Sequence, residues 1–185
     1  LGYVQRVCSE IGMALRGGAR PATVVLRSTV LPGVAETFGL PALEAASGLR
    51  AGVDFGFALN PEFLREGSSL HDFYHPPRTV IGVFDQASAD RLAELYHGLD
   101  APIFQLAPGE AAMIKYADNA FHAVKVAFAN EIGRLCKNFQ VDSRQVMDVF
   151  IQDTSLNLSA YYLKPGFAFG GSCLPKDIRA LSHRA

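Results

Sequence analysis

The sequence lacks the features by which several protein classes are recognised. It has no tryptophan and only three cysteines, Cys8, Cys136 and Cys173, which lie far apart. Such sparse cysteines form neither a disulfide framework nor a CxxC metal-binding motif, so no metal site and a reducing, cytoplasmic setting are expected. No segment approaches the ~18 consecutive apolar residues of a transmembrane helix, and no charged start followed by an apolar run indicates a signal peptide.

The charge balance excludes further partners. The chain carries 17 basic and 18 acidic residues, for a formal net charge of -1. Proteins that bind nucleic acid or anionic membranes usually carry a marked basic excess, so neither partner is expected. The hydrophobic share of 49% is that of an ordinary globular protein. Because residue 1 is leucine rather than methionine, we expect a piece of a longer chain.

Strands and helices alternate over the first 107 residues. Four segments rich in β-branched or aromatic residues predict strands: 23–30, 53–59, 79–84 and 102–106. Apolar periodicity predicts helices at 3–16, from Gly33 to about Ser47, and at 86–97. This alternation favours an α/β fold with a doubly wound parallel sheet. We interpret residues 1–107 as the second, C-terminal half of a Rossmann-like nucleotide-binding domain.

The pattern changes after Pro108-Gly109. Apolar residues then recur at spacings of three and four: Met113, Ala117, Ala120, Phe121, Val124, Phe128, Ile132, Leu135 and Phe139. This stripe predicts one helix of ~30 residues, roughly 45 Å long. A shorter helix is predicted at 143–151 with Asp142 as its N-cap, and residues 152–176 are predicted to be irregular. The chain from 108 to 185 is therefore expected to be a largely helical segment.

The glycine-rich stretch 166–177 contains Cys173 and Lys176. Glycines let a ligand approach the backbone closely, and a nearby ammonium favours the thiolate form of a cysteine. A thiolate is the form that attacks a carbonyl carbon. The residue types alone fit equally well a small buried cysteine in a glycine turn. Cys8 and Cys136 lie in predicted helices without such neighbours and are expected to be structural.

The polar face of the long helix presents a second candidate site. Lys115, Asn119 and His122 are spaced by four and three residues, and Asn130 continues the same stripe two turns later. Their ammonium, amide and imidazole groups are donors that stabilise an oxyanion in a dry cleft. The alternative is an ordinary solvated helix face.

Further candidates follow the predicted strands. In residues 60–66, Asn60 and Pro61 resemble an N-cap and first helical residue at the carboxyl end of a strand, where α/β proteins bind ligands. Glu62 and Glu66 would then share one helix face, either converging on a ligand or solvated as separate acids. Residues 28–33 also follow a strand and suit a phosphate or ribose. Residues 161–165 combine tyrosines with a lysine, which suits a base and a diphosphate, although a packed surface loop is the alternative.

Taken together, four of these segments resemble the UDP-glucose/GDP-mannose dehydrogenase family of nucleotide-sugar 6-dehydrogenases. They occur in that family's order: 28–33, 60–66, 115–119 and 166–177. Three further stretches resemble the GDP-mannose branch more than the UDP-glucose branch: 53–56, 76–82 and 161–171. The resemblance extends over essentially all 185 residues.

The resemblance implies an oxidation of the sugar's C6 alcohol to a carboxylate with two NAD+, as from GDP-mannose to GDP-mannuronate for alginate-type polysaccharides. Cys173 would capture the aldehyde as a thiohemiacetal, which a second oxidation converts to a thioester that water hydrolyses. Lys115 and Asn119 would stabilise the oxyanion. Glu62 and Asp177 would handle the attacking water.

The resemblance also implies the binding residues and the assembly. The expected substrate-binding residues are Glu66, His122, Asn130, Tyr161, Tyr162, Lys164, Phe167 and Gly170. Thr29 and Lys176 are expected to contact NAD. Residues 1–107 would be the second half of the NAD-binding domain, and residues 108–185 a truncated central domain that forms a homodimer through the long helix.

Two departures from the family pattern qualify these expectations. The GxGxxG fingerprint and its acidic ribose-binding partner are absent from the sequence, so the isolated chain is expected to bind NAD poorly and to be inactive. Lys164 stands where the GDP-mannose branch would have arginine, which makes phosphate contact less directional. The alternatives are a UDP-glucose or UDP-N-acetylhexosamine 6-dehydrogenase and, from another class, a non-catalytic dimerisation fragment.

Overall fold

The computed structural model describes residues 2–18 and 22–158. Its helices are α1 (Gly2–Leu15), α2 (Leu40–Ser47), α3 (Ser69–Tyr74), α4 (Gln86–Glu94), α5 (Pro108–Phe139) and α6 (Ser143–Phe150). A single π-helical turn, Ala35–Gly39, leads directly into α2. The strands are β1 (Thr23–Leu26), β2 (Gly56–Leu59), β3 (Thr79–Val83) and β4 (Ile103–Leu106). The long helix, the short helix that follows it and the N-cap Asp142, which accepts from the Arg144 amide, are confirmed.

The four strands form one sheet in the order β1-β2-β3-β4. β1 pairs parallel with β2, and β3 pairs parallel with β4. The expected α/β, Rossmann-like class is confirmed, but the sheet is mixed because β2 and β3 pair antiparallel, with Ala58 opposite Val83 and Leu59 opposite Gly82. The chain therefore enters β3 at the edge where β2 ends. Residues 60–78 stay at that carboxyl edge instead of crossing back over a face of the sheet.

Side chains of the central strands alternate between two hydrophobic clusters. Phe57, Leu59 and Val80 pack with residues of α1, α2 and the start of α5. Ala58 and Ile81 face the other way and pack with residues of α4 and the turn after it. The two-residue period of a strand thus covers both faces of the sheet. This double burial anchors the strand ends from which the polar side chains project.

Several predicted elements differ from the structure. β2 begins at Gly56 rather than residue 53, and α4 ends at Glu94 rather than residue 97. β1 ends at Leu26 rather than residue 30, because residues 27–29 leave the sheet and are exposed before Val30 is buried again. No helix begins at Pro61, and the next helix starts only at Ser69. The local sequence of a helix start is overridden here because the Asn60 side chain bonds elsewhere.

Contacts divide the chain into two compact units, Leu1–Ala120 and Phe121–Ala185. In the second unit, the rings of Phe128 and Phe150 lie 5.5 Å apart and pack α5 against α6. Cys136 is buried in α5, as expected of a structural cysteine, and Cys8 is likewise buried in α1. Within residues 2–18 and 22–158, no helix is both long and apolar enough to span a membrane.

Candidate functional site

The polar residues of interest meet at the carboxyl edge of β1 and β2. Because these two strands are parallel, the segments that follow them, which begin at Arg27 and Asn60, leave the sheet side by side. This edge is where open α/β sheets bind ligands. The antiparallel β3 begins at the same edge, so Arg78 and Thr79 lie beside them.

Asn60 connects this edge to the core. It is 2% exposed, and its side-chain amide donates to the carbonyl of Val80 at 2.9 Å. Its Oδ1 accepts from the hydroxyl of Tyr96, which is also buried. These two bonds occupy the side chain that the sequence suggested as a helix N-cap. Asn60 therefore fixes the point at which the chain leaves β2 and enters the site.

Replacing Asn60 with leucine should lower the free energy of unfolding of the 185-residue chain by about 2–6 kcal/mol. The change removes the side-chain donor to the Val80 carbonyl and the acceptor of the buried Tyr96 hydroxyl, at ~1–3 kcal/mol each. Urea denaturation followed by circular dichroism measures the difference. The matched control is Asn138→Leu on the exposed face of α5, which should stay within about 0.5 kcal/mol of the parent. Equal stability of the Asn60 and Asn138 variants would contradict the structural role of Asn60.

Two residues after Asn60, the carboxylate of Glu62 meets the ammonium of Lys115 from α5. The Lys115 Nζ lies 3.3 Å from Glu62 Oε1, and the lysine side chain is only 10% exposed. The other oxygen of Glu62 accepts from the Leu64 amide at 2.8 Å. The ammonium also lies 5.5 Å from the centroid of the Phe63 ring. Lys115 is thus a buried cation held between a carboxylate and an aromatic ring.

The surroundings of Glu62 keep it ionised. Partial burial by itself raises the pKa of this carboxyl, but the Leu64 amide, the Lys115 ammonium and the more distant Arg27 outweigh burial and lower the pKa below its ordinary value. At neutral pH the pair is therefore a carboxylate beside an ammonium. Such a pair presents a proton acceptor and an oxyanion-stabilising donor within one hydrogen bond of each other.

The cavity at this edge is small. It has a volume of about 40 Å³ and includes Arg27, Glu62, Phe63 and Arg78 in its lining. That volume holds a few water molecules, whereas a drug-sized ligand needs ~300 Å³ or more. The described residues thus supply polar groups at this edge without the full volume of a nucleotide-sugar site.

The other predicted residues in the described part of the chain are exposed. Thr29 follows β1, Asn119 lies one turn after Lys115, and His122 and Asn130 lie further along α5. The alternative of a solvated helix face is therefore wrong for Lys115, which is buried. It agrees with the exposure of Asn119, His122 and Asn130 on the same helix. Glu66 is exposed in the turn before α3, and the expected helix that would have placed it beside Glu62 is absent.

The remaining predicted residues lie outside the described residues. They are Cys173, Asp177, Tyr161, Tyr162, Lys164, Phe167, Gly170 and Lys176. Their assignments stay predictions from the sequence.

Sequence reasoning missed an ion pair beside the site. Arg78 donates to Asp118 at 2.6 Å, and its guanidinium carbon lies 4.8 Å from the centroid of the Phe63 ring. The available signals were weak. Arg78 follows two prolines directly before β3, and Asp118 lies three residues after Lys115, on the same side of α5.

Comparison with known families matches almost the whole chain. The NAD binding domain of the UDP-glucose/GDP-mannose dehydrogenase family matches residues 1–100. The central domain of the same family matches residues 109–185. The border between the two matches falls close to the start of α5.

Individual relatives agree with these matches. The chain is 58% identical over its full length to a GDP-mannose 6-dehydrogenase of Pseudomonas syringae pv. syringae, of which it covers 42%. It is 37% identical to the UDP-glucose 6-dehydrogenase AglM of Haloferax volcanii, with 98% of the chain and 43% of the relative covered. The chain therefore spans less than half the length of these relatives.

Solved structures show the same likeness. A ternary complex of GDP-mannose dehydrogenase from Pseudomonas aeruginosa superimposes with a TM-score of 0.96 at 56% identity, over 100% of this chain and 42% of that one. A UDP-glucose dehydrogenase from Pyrobaculum islandicum superimposes with a TM-score of 0.77 at 40% identity, over 98% of this chain and 44% of that one.

Proposed function

Because the chain belongs to the UDP-glucose/GDP-mannose dehydrogenase family, we propose that it is the central part of a longer NAD-dependent enzyme. That protein, called the full-length enzyme below, oxidises C6 of a nucleotide sugar from alcohol to carboxylate. The observation that carries the proposal is the Glu62–Lys115 pair at the carboxyl edge of β1 and β2. In an alcohol-to-acid oxidation, an ionised carboxylate can accept a proton and a buried ammonium can stabilise an oxyanion.

The same edge is the proposed position of the dinucleotide. The parallel β1 and β2 end there, and the segment after β1 presents the side chains of Arg27, Ser28 and Thr29, all of them exposed. Thr29 is the residue that would contact NAD, together with Lys176 from outside the described residues. NAD+ bound at this edge would accept the hydride ions removed from C6, one molecule for each of the two oxidations.

The chain's own residues would carry out the proton transfers and the covalent step at C6. The alcohol loses its hydroxyl proton to a base, for which Glu62 is the proposed carboxylate. Glu62 and Asp177 are proposed to handle the water that attacks later. The Cys173 thiolate adds to the aldehyde carbon, and the resulting thiohemiacetal oxygen is stabilised by Lys115 and Asn119. After the second oxidation a water molecule attacks the thioester carbon, the C–S bond breaks, and the carboxylate leaves with the thiol restored.

GDP-mannose is the proposed substrate. Relatives named GDP-mannose 6-dehydrogenase are 56–58% identical to this chain, whereas relatives named UDP-glucose 6-dehydrogenase are 36–37% identical. The product would then be GDP-mannuronate. Most of the residues proposed to line the sugar-nucleotide site lie outside the described part, and the others are Glu66, His122 and Asn130.

The proposed assembly is a cytoplasmic homodimer built through α5. The part of this helix in the second unit exposes apolar side chains, among them Phe121, Val124 and Phe128. A pairing of two helices would bury such side chains. A non-catalytic dimerisation fragment is the competing function that this observation favours.

The test measures NADH formed by the full-length enzyme with GDP-mannose and with UDP-glucose. We expect two NADH for each GDP-mannose consumed and much slower reaction with UDP-glucose. The 185-residue chain assayed alone should form no NADH. One NADH per sugar would contradict the two-step oxidation. No NADH with GDP-mannose, UDP-glucose or a UDP-N-acetylhexosamine would favour the dimerisation fragment.

A further inference from the structure

An ion pair links the amino end of β3 to α5 beside the Glu62–Lys115 pair. Arg78 and Asp118 are 40 positions apart in sequence, and a guanidinium nitrogen lies 2.6 Å from the carboxylate oxygen. Their side chains are 29% and 31% exposed. A partly exposed ion pair of this kind contributes little to stability, but it ties the residue before β3 to α5.

The Phe63 ring joins the two pairs. The Arg78 guanidinium carbon lies 4.8 Å from the ring centroid, and the Lys115 ammonium lies 5.5 Å from it. Both distances allow a cation–π interaction. Phe63 directly follows Glu62, so whatever orients this ring also restrains the backbone that carries the Glu62 carboxylate.

Asp118 restrains the partner helix. It lies three residues after Lys115, so the two side chains leave α5 on the same side. A bond from Asp118 to Arg78 therefore limits rotation and sliding of this part of α5 relative to β3. The Lys115 ammonium is held by the same restraint.

We propose that Arg78 and Asp118 are positioning residues that hold the Lys115 ammonium at hydrogen-bonding distance from Glu62. Neither touches the reacting atoms in this role, since they act through Phe63 and through the helix. The consequence for catalysis rests on the proposed function of the Glu62–Lys115 pair. The geometric statement itself is independent of any activity.

The first measurement is the titration of the Glu62 carboxyl in the 185-residue chain by ¹³C NMR, with Asp118→Asn. If the pair only contributed charge, removing the Asp118 negative charge and freeing Arg78 would lower the pKa of Glu62 further. If the pair positions Lys115, the ammonium moves away and the pKa of Glu62 rises. Lys115 and Arg27, which lower the pKa of Glu62, are unaltered by the substitution, whereas Arg78, which lines the same cavity, loses its carboxylate partner.

The second measurement is the kinetics of the full-length enzyme with the same variant. We expect kcat to fall about tenfold to a hundredfold, because small misplacements of a reacting group have effects of that size. KM for the sugar nucleotide should change less than about twofold, since no substrate contact is removed. Asp118→Glu, which keeps the charge, should recover most of the lost kcat.

The control is Glu131→Gln, which removes an exposed ion pair with Arg134 on the same helix. It should change neither the Glu62 titration nor kcat. The proposal is overturned if Asp118→Asn lowers only the thermal midpoint. In that case kcat is unchanged, and the pKa of Glu62 is unchanged or lowered. The proposal and the proposed function can fail separately. If Asp118→Asn raises the pKa of Glu62 but the unsubstituted full-length protein has no activity, the positioning role is supported and the proposed function is refuted.

Discussion

Replacing Lys115 with methionine should lower kcat of the full-length enzyme by about 10²–10³-fold, the size measured when one oxyanion donor is removed. Methionine keeps an unbranched apolar stem in a site that is almost closed to water, but it removes the ammonium that lies 3.3 Å from Glu62. In the proposed mechanism, the negative charge that develops on the substrate oxygen would then lose the Lys115 ammonium beside it. Steady-state NADH formation measures the loss.

The same substitution should change the pH dependence in a defined direction. The pKa of Glu62 lies below its ordinary value partly because of Lys115, so removing the lysine raises this pKa. A carboxyl group whose pKa is lowered by folding stabilises the folded state at pH values above its unfolded pKa, and this stabilisation is lost as pH falls through the folded pKa. Near neutral pH, the Lys115→Met variant therefore lacks the share of this stabilisation that comes from the Glu62–Lys115 attraction. Its remaining activity should also disappear at a higher pH than the parent's does on the acid side.

Lys125→Met is the matched control for this prediction. Lys125 lies on the exposed part of α5, with its ammonium 5.0 Å from the centroid of the Phe121 ring. Losing that cation should leave kcat within about twofold of the parent, the size expected where no transition-state contact is removed. Full activity in the Lys115 variant would refute the oxyanion role assigned to this residue.

Replacing Cys173 with serine should abolish the formation of the uronic acid by the full-length enzyme. A serine hydroxyl is a much weaker nucleophile than a thiolate at neutral pH unless a base activates it. The aldehyde would then be neither captured nor carried to the thioester, and the second oxidation would stop. We expect at most one NADH for each sugar consumed, instead of two.

The proposed covalent step can be tested directly. Mass spectrometry of the parent, quenched during turnover, should detect a sugar-nucleotide adduct on Cys173 that the serine variant lacks. Cys136→Ala is the control, since this thiol is buried within α5 and its loss should leave the two-NADH stoichiometry intact. Uronic acid produced at an undiminished rate by the Cys173 variant would refute the thioester route.

Long periodic elements were predictable from the sequence because their signals are local. The apolar stripe of α5 runs from Met113 to Phe139, which is about seven turns, and the bounds of α1 and α6 differ from the predicted ones by one residue. The family, too, follows from short motifs in a fixed order. Asp142 was predictable as a cap because a cap acts within two or three residues of its own position.

Asn60 shows where local signals fail. Asn-Pro is typical of a helix start, yet the Asn60 side chain bonds Val80 and Tyr96, which lie 20 and 36 positions away. Satisfying two buried polar groups outweighs a cap exposed to water. The loss of that helix also removes the argument that Glu62 and Glu66 share a face.

The sequence by itself determined the α/β class, the long helix, the family and most of the candidate chemical groups, because propensity, periodicity and motif order are properties of neighbouring residues. Only the tertiary structure decided that Glu62 meets Lys115 and that Arg78 meets Asp118. Both contacts join elements that are far apart in sequence, and they depend on β3 running antiparallel to β2, which keeps residues 60–78 at one edge of the sheet. Strand direction depends on whether the connection crosses a face of the sheet or returns at the same edge, which no short stretch of sequence specifies.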